Sequence, residues 1–358
     1  MNATKHKQID ISTDFTGGNL DVLRTNHNRF QVKQQLRDTV GNWFYWAFRV
    51  RGAAGETLTF AFEQNYIGYY GPAVSQGLET WDWAGGVSDD RKTFTYTFGE
   101  NENEVYFAHH MLYHPQRFYD FAARQGLRAD TLCVSEKGSE IPVVEFGEGE
   151  KVILLAARHH ACESTGSYVL EGVIEELLRN PIPEHRVIAV PFVDFDGVVA
   201  GDQGKNRAPY DHARDYHEAP IYASVKAIQA LRTQNVAYAF DFHSPWHLGG
   251  MNDVRFLVRT QMALMPEYQR FGELLEAETA KDSNALNHFT KDDLDPEVDW
   301  NTGAEQRPMM PNYFYWQNGA FGISLETPYF GLPDNVISQE NMVAMGQAFA
   351  RSVKEYLK

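Results

Sequence analysis

From residue 151 onward the chain repeats one pattern. A short, almost wholly apolar run is followed by a longer segment with apolar residues at helical spacing. The runs are KVILLAA (151–157), HRVIAVPFV (185–193) and VAYAFDF (236–242). None alternates apolar with polar as a strand with one wet face does, so each must be covered on both faces. After the first run, Val169, Leu170, Val173, Ile174, Leu177 and Leu178 fall on one helical face. Residues 221–233, 265–281 and 338–357 read as further helices. Strands alternating with helices predict an α/β fold: a mixed, mainly parallel sheet flanked by helices.

The first third follows another rule. NWFYWAFRVRG (42–52), TLTFAFE (57–63), KTFTYTF (92–98) and EVYFA (104–108) are short runs rich in aromatic and β-branched residues. Turn signals such as Ala53-Ala54-Gly55 and Gly85-Gly86 separate them. Several short strands within about 100 residues predict an all-β, sandwich-like unit. A helix over 116–126 and a hairpin, TLCVSEKGSEIPVVEF, bridge the two patterns. We place the boundary near residue 130, giving an N-terminal β domain (1–130) and a second domain (131–358). A length of 358 residues suits two domains.

Charge narrows the partners. Lysine and arginine number 32 against 48 acids, a net charge of −16. Such a chain repels phosphate backbones and anionic membrane surfaces, so neither nucleic acid nor membrane is expected as a partner. Two cysteines make no disulfide framework and fit a reducing compartment. The N-terminal MNATKHKQIDISTDFTGG carries no apolar stretch of a secretory leader, and no run reaches the length of a membrane helix. A cytoplasmic protein is the expectation. The sequence says nothing of oligomeric state.

The strand 151–157 runs into Arg158-His159-His160-Ala161-Cys162-Glu163 and then a helix. Loops at the carboxyl ends of such strands are where ligands bind. Among thirteen histidines, His160 alone has Glu three positions on. Imidazole and carboxylate together suit Zn²⁺, and two ligands from one loop lower the cost of assembling a site. The strand 236–242 delivers His243 at the same sheet edge as a third ligand, with Asp241 two residues earlier as its outer partner. The apolar run ending at Glu326 supplies a carboxylate suited to take a proton from the attacking water.

This order of motifs resembles the zinc metallocarboxypeptidases, most closely the cytosolic carboxypeptidase-like branch. The branch pattern A-R-x-H-P-G-E-[ST] reads here as Ala157 to Ser164, N-P-D-G as Asp194 to Gly197, and D-L-N-R-N-Y as Asp211 to Tyr216. WFYWAFRVRGA and EVYFAHHMLY resemble the β domain that precedes the catalytic domain in that branch. The resemblance implies one zinc per chain held by His160, Glu163 and His243, with Glu326 as general base. It also implies hydrolysis of the last peptide bond of a peptide or protein. Arg214 matches the arginine that grips the terminal carboxylate, although Ala213 replaces its asparagine neighbour. The arginine that polarises the scissile carbonyl falls on Gly204, and Arg207, three residues on, is taken as its substitute.

Two other functions fit the same residues: an amidohydrolase of the aspartoacylase or succinylglutamate desuccinylase type, and a non-catalytic binding protein on this fold. His159 and Cys162 are expected to pack or support rather than react. The cluster His109, His110 and His114 is expected to be structural and free of metal. The pair His212 and Asp215 is expected to be no second metal site. The five acids of 291–299 read as a solvated loop, and Tyr313-Phe314-Tyr315-Trp316 mostly as core.

Overall fold

The computed structural model describes residues 9–358. The lysine-bearing start read above as no leader, residues 1–8, lies outside the described residues.

Nine strands precede the first helix: β1 (Asp10–Ser12), β2 (Asp21–Asn26), β3 (Arg29–Lys33), β4 (Ala47–Arg51), β5 (Thr57–Ala61), β6 (Ala73–Ser75), β7 (Asp82–Trp83), β8 (Thr93–Thr97) and β9 (Glu104–Ala108). They form a five-stranded sheet, β1-β4-β9-β6-β7, and a four-stranded sheet, β2-β3-β5-β8. Alternation explains the packing. In β3 and β5 every second side chain is buried, and Phe30, Val32, Leu58 and Phe60 meet Phe48, Val50, Val105 and Phe107 of the other sheet. The run at 42–52 is a strand only over Ala47–Arg51. Phe44 and Trp46 are nonetheless wholly buried: Trp46 packs on Phe48, Phe62 and Phe94, and Phe44 on Trp246, His247 and Tyr329.

Helix α1 (Pro115–Arg124) links this part to a seven-stranded sheet. Its strands are β10 (Asp130–Val134), β11 (Glu140–Gly147), β12 (Lys151–Ala157), β13 (His185–Val190), β14 (Val236–His243), β15 (Phe256–Val258) and β16 (Phe321–Glu326), in the order β10-β11-β13-β12-β14-β16-β15. The central β13-β12-β14-β16 run is parallel, and antiparallel strands sit at both sides. Both faces of the central strands are covered, as their apolar composition requires. Helices α2 (Ser164–Arg179), α5 (Met265–Thr279) and α7 (Gln339–Tyr356) cover one face. Helices α4 (Ala223–Ala230) and α6 (Met310–Asn318) cover the other, and the short α3 (Phe195–Ala200) follows β13. One apolar core runs from Tyr45, Ala47 and Tyr106 of the N-terminal part into α2 and α7, so the two parts share buried surface.

Two details depart from the sequence expectation. The aromatic run 313–316 lies on α6, where Phe314 is buried but Trp316 is exposed. The acidic segment 291–299 is not simply solvated. The Asp293 side chain is fully buried, accepts from the Leu257 amide at 2.8 Å and pairs with Arg259 at 2.8 Å. That anchor fixes the course of the chain towards Trp300.

Candidate metal centre

Register brings the candidate residues together. β12 and β14 pair Ala157 with Phe242, and β14 and β16 pair His243 with Glu326. The three strands therefore end at one level of the sheet. Beyond Ala157 the chain turns sharply: Arg158 adopts φ +61° and its guanidinium bonds the carbonyls of Ala161 and Tyr113, the latter at 2.8 Å. This holds the loop 158–163 in a tight bend. Glu163 stands at the N-terminal end of α2 but does not cap it, so its carboxylate is free to point into the bend.

There His160 Nδ1 lies 2.8 Å from Glu163 Oε1, and His243 Nδ1 lies 2.7 Å from Glu163 Oε2. The ligand-type atoms of the three residues fall within 4.8 Å of one another. The outer nitrogens are backed by carboxylates: His243 Nε2 by Asp241 at 2.8 Å, His160 Nε2 by Asp211 at 3.6 Å. Such backing turns the Nδ1 atoms inward, the orientation that metal-binding histidines need. Asp241 is itself shared with His159 Nδ1 at 2.9 Å, and Tyr216 meets His159 Nε2 at 2.7 Å. His159, Asp241 and His243 also cluster within 4.8 Å. His159 and Asp241 are buried and paired on every side-chain polar atom, so that group supports the first and does not compete with it.

The electrostatics follow from burial against pairing. Burial pushes the Glu163 carboxyl up, but His160, Lys205 and His243 together hold it well below the usual carboxylate range. His243 and His160 are driven down by burial and raised by a greater amount by their carboxylates. Glu326 is different. Burial dominates and its pKa rises to about 7. Its Oε2 is buried and makes no hydrogen bond. An orphan carboxylate oxygen costs free energy unless a water or a substrate group meets it, which is the usual situation of a catalytic base.

A cavity of about 580 Å³ opens over this cluster, lined by His160, Glu163, Lys205, Arg214, Trp246 and Glu326 among others. Arg214, in a short turn after Asp211, makes no ion pair within 4.0 Å among the described residues; its one side-chain hydrogen bond there is to the Ala213 carbonyl at 3.4 Å. Its guanidinium is therefore available. The structure does not bring Arg207 to this cavity. Arg207 sits among Asp38 (3.1 Å), Asp194 (2.8 Å) and Asp202 (3.1 Å), in a different pocket with His212 and Tyr222. Its donors are consumed in joining the loop at Asp38 to the loops after β13. The cation beside the cluster is Lys205, which sequence reasoning missed. The available signal was its place next to Gly204, where the family pattern expects its second arginine.

The remaining candidates have structural partners. His212 stacks on Tyr222 with centroids 3.6 Å apart, and Asp215 accepts from the amides of Ile221 and Tyr222. Cys162 is buried with its thiol pushed up to about 12. His114 caps α1. His109 bridges His110 at 2.8 Å and His247 at 2.5 Å, and His110 Nε2 donates to the Cys162 carbonyl at 2.8 Å. That chain is one of four ties between consecutive residues 110–113 and the candidate ligand loop and helix. The others are Ser164 to the Met111 carbonyl, Tyr168 to Leu112 and Arg158 to Tyr113.

The parallel sheet with its strand-end cluster and the β unit ahead of it define a metallocarboxypeptidase-like fold. Residues 11–110 match the cytosolic carboxypeptidase N-terminal domain. Beyond that domain, the chain is similar in fold to metallocarboxypeptidases and in sequence to their cytosolic branch. It is 30% identical over 258 residues to an uncharacterized protein from Zymomonas mobilis, covering 66% of this chain and 67% of that one. It is 27% identical over 180 residues to cytosolic carboxypeptidase 1 from Gallus gallus; that match spans 39% of this chain and 15% of the longer relative. A metallo-carboxypeptidase from Pseudomonas aeruginosa, solved with (2-guanidinoethylmercapto)succinic acid, superposes with a TM-score of 0.78 at 19% identity, covering 98% of this chain and 100% of that one. A metallo-carboxypeptidase from Burkholderia cenocepacia gives the same TM-score and identity, covering 98% and 99%.

Proposed function

We propose that the chain is a zinc-dependent carboxypeptidase that removes the last residue of a peptide or protein. The observation that carries this is the unpartnered Oε2 of Glu326 in the cavity lined by His160 and Glu163, whose ligand atoms cluster with those of His243. Two imidazoles and one carboxylate converging at a cavity wall are a donor set suited to zinc and leave a position open. His160, Glu163 and His243 would hold the ion. Zinc, when bound there, supplies a Lewis acid that acidifies water and polarises a carbonyl.

The chain's own residues do the rest. Arg214 binds the terminal carboxylate and thereby sets which amide reaches the centre. Glu326 takes a proton from the attacking water at its free oxygen. It later delivers that proton to the leaving amine nitrogen. A carboxyl raised to about 7 by burial is poised for both tasks near neutral pH. Asp241 and His159 hold His243 in its tautomer. The names of the relatives and a reducing-type cysteine content support a cytoplasmic location. We place the division between the two units near residue 130, at the start of β10.

The test is a screen of peptides varied at the C-terminus, run beside N-acyl amino acids, with zinc supplied. Release of one free C-terminal amino acid supports the proposal. Cleavage of N-acyl amino acids alone would make it an amidohydrolase, and total inactivity would leave a binding protein. Glu326→Gln should keep its zinc and lose at least about a hundredfold in kcat. Loss of zinc in that variant would make Glu326 a ligand.

A further inference from the structure

The mechanism above leaves one charge in the cleft without a task. The Lys205 side chain is 7% exposed, and its Nζ lies 2.5 Å from Glu163 Oε1, 3.1 Å from the Ser244 carbonyl and 3.3 Å from the Pro245 carbonyl. The ammonium also sits 5.1 Å from the centroid of the Trp43 ring, a residue of the N-terminal unit. Local backbone geometry dictates this placement. Gly204 adopts φ +74°, and a Cβ there would lie 2.0 Å from the amide nitrogen of Ala161. The Cys162 amide, in turn, donates to the Gln203 carbonyl at 3.3 Å. Residues 203–205 therefore press against the candidate ligand loop. Position 204 has no room for a side chain, and the first long side chain able to enter the cleft belongs to residue 205. Arg207 is turned away and consumed by three carboxylates.

Two of the three ammonium donors serve neutral carbonyls directly after His243. The third serves a Glu163 oxygen that also bonds His160. When His160, Glu163 and His243 share a cation, the charge of Glu163 is shared with it and its hold on the ammonium weakens. That third donor is then the one a substrate oxygen can take over. Arg214, the other cation lining the cavity, is already assigned to the terminal carboxylate.

We propose that Lys205 is a catalytic residue of this site, donating to the scissile carbonyl oxygen and stabilising the negative charge it gains. The assignment rests on the carboxypeptidase function proposed above. As water adds, a C–O bond forms, the carbonyl π pair moves onto oxygen beside the ammonium, and the water proton passes to Glu326. On collapse the carbonyl re-forms, the C–N bond breaks and the proton goes to the amine. A fixed positive charge on a buried side chain stabilises such an oxygen more than it would in bulk water.

The experiment compares wild type with Lys205→Gln, Lys205→Met and Lys205→Arg in the full chain. It uses the best peptide from the screen, zinc analysis, and two uncleavable ligands of the same side chains. One ligand carries a phosphinic group in place of the scissile amide and mimics the charged tetrahedral state. The other carries a methyleneamino link with no such oxygen. Lys205→Gln and Lys205→Met should keep stoichiometric zinc, lose about a hundredfold or more in kcat at little-changed KM, and bind the phosphinic ligand at least tenfold more weakly. The methyleneamino ligand should bind within about twofold of wild type, and Lys205→Arg should recover most of the loss. Equal weakening of both ligands, or loss of zinc, would make Lys205 a pocket or support residue and overturn the assignment. Unchanged kcat in the Gln and Met variants would do the same. A wild type that cleaves no peptide sinks the carboxypeptidase function itself, and this assignment with it.

Discussion

Helices α2 and α7 cross at two glycines, and that contact sets a sharp prediction. A Cβ at Gly172 would stand 2.0 Å from the Val343 carbonyl oxygen, and one at Gly346 would stand 2.0 Å from that of Val169. Carbon and carbonyl oxygen normally approach no closer than about 3.3 Å. Gly172→Ala must therefore part the helices by roughly 1.3 Å. The obstacle is backbone, which no rotamer change relieves. Overpacking of this kind costs about 1–3 kcal/mol, and the upper half of that range applies. Helix propensity returns about 1 kcal/mol, because alanine is the better helix former. The net expectation is a loss of about 1–2 kcal/mol. Because one parting of the helices admits both methyl groups, the double variant Gly172→Ala/Gly346→Ala should cost clearly less than the sum of the two single changes. Urea unfolding with chelator present, followed by tryptophan fluorescence, reads the shift in midpoint at constant slope. The reasoning fails if Gly172→Ala is neutral or stabilising, since propensity alone would then govern the site. It fails also if the two losses simply add. Helix α2 starts one residue after Glu163, so the same displacement should weaken zinc affinity.

Arg207→Met should lower stability by about 3–5 kcal/mol, because it leaves Asp38, Asp194 and Asp202 crowded without their cation; a variant that unfolds like wild type would contradict the hub. Arg214→Ala should leave the unfolding midpoint within about 0.5 kcal/mol of wild type and lower kcat/KM ten- to hundredfold, a split that denaturation and steady-state assays on free-acid and amidated peptides will show. His160→Ala/His243→Ala should abolish stoichiometric zinc by elemental analysis; retained zinc would move the site. Burial lowers His110 to about 3 and His247 to about 4, so below pH 6.5 the unfolded chain takes up protons that the fold refuses. The stability these residues allow is intact above pH 6.5 and drains as pH falls. His110→Gln should reduce that drain by about 1 kcal/mol per pH unit between 6 and 5, measured by denaturation at each pH. An unchanged slope would show that His110 is protonated in the fold.

Much of the fold was legible because burial leaves a direct imprint on sequence. Runs such as KVILLAA can only be strands covered on both faces, and the helical stripe after Ser164 can only face one of them. Ligand candidates were legible for a related reason: a strand end fixes where the next side chains emerge, so His160, Glu163, His243 and Glu326 were expected at one edge. Short-range periodicity fails where a long side chain chooses among distant partners. Arg207 and Lys205 are two residues apart and equally able to enter the cleft on paper. The choice was made by Asp38, which lies far away in sequence and claims the guanidinium, and by the close approach of Gly204 to Ala161, which steers Lys205 inward. The acidic segment 291–299 looked solvated because its charges are visible in sequence while Arg259 beneath it is not. Local composition determined which residues are buried and where strands stop. Only the tertiary structure decided which charges are paired off and which remain free to act, because pairing depends on distances between chain segments that no local pattern records.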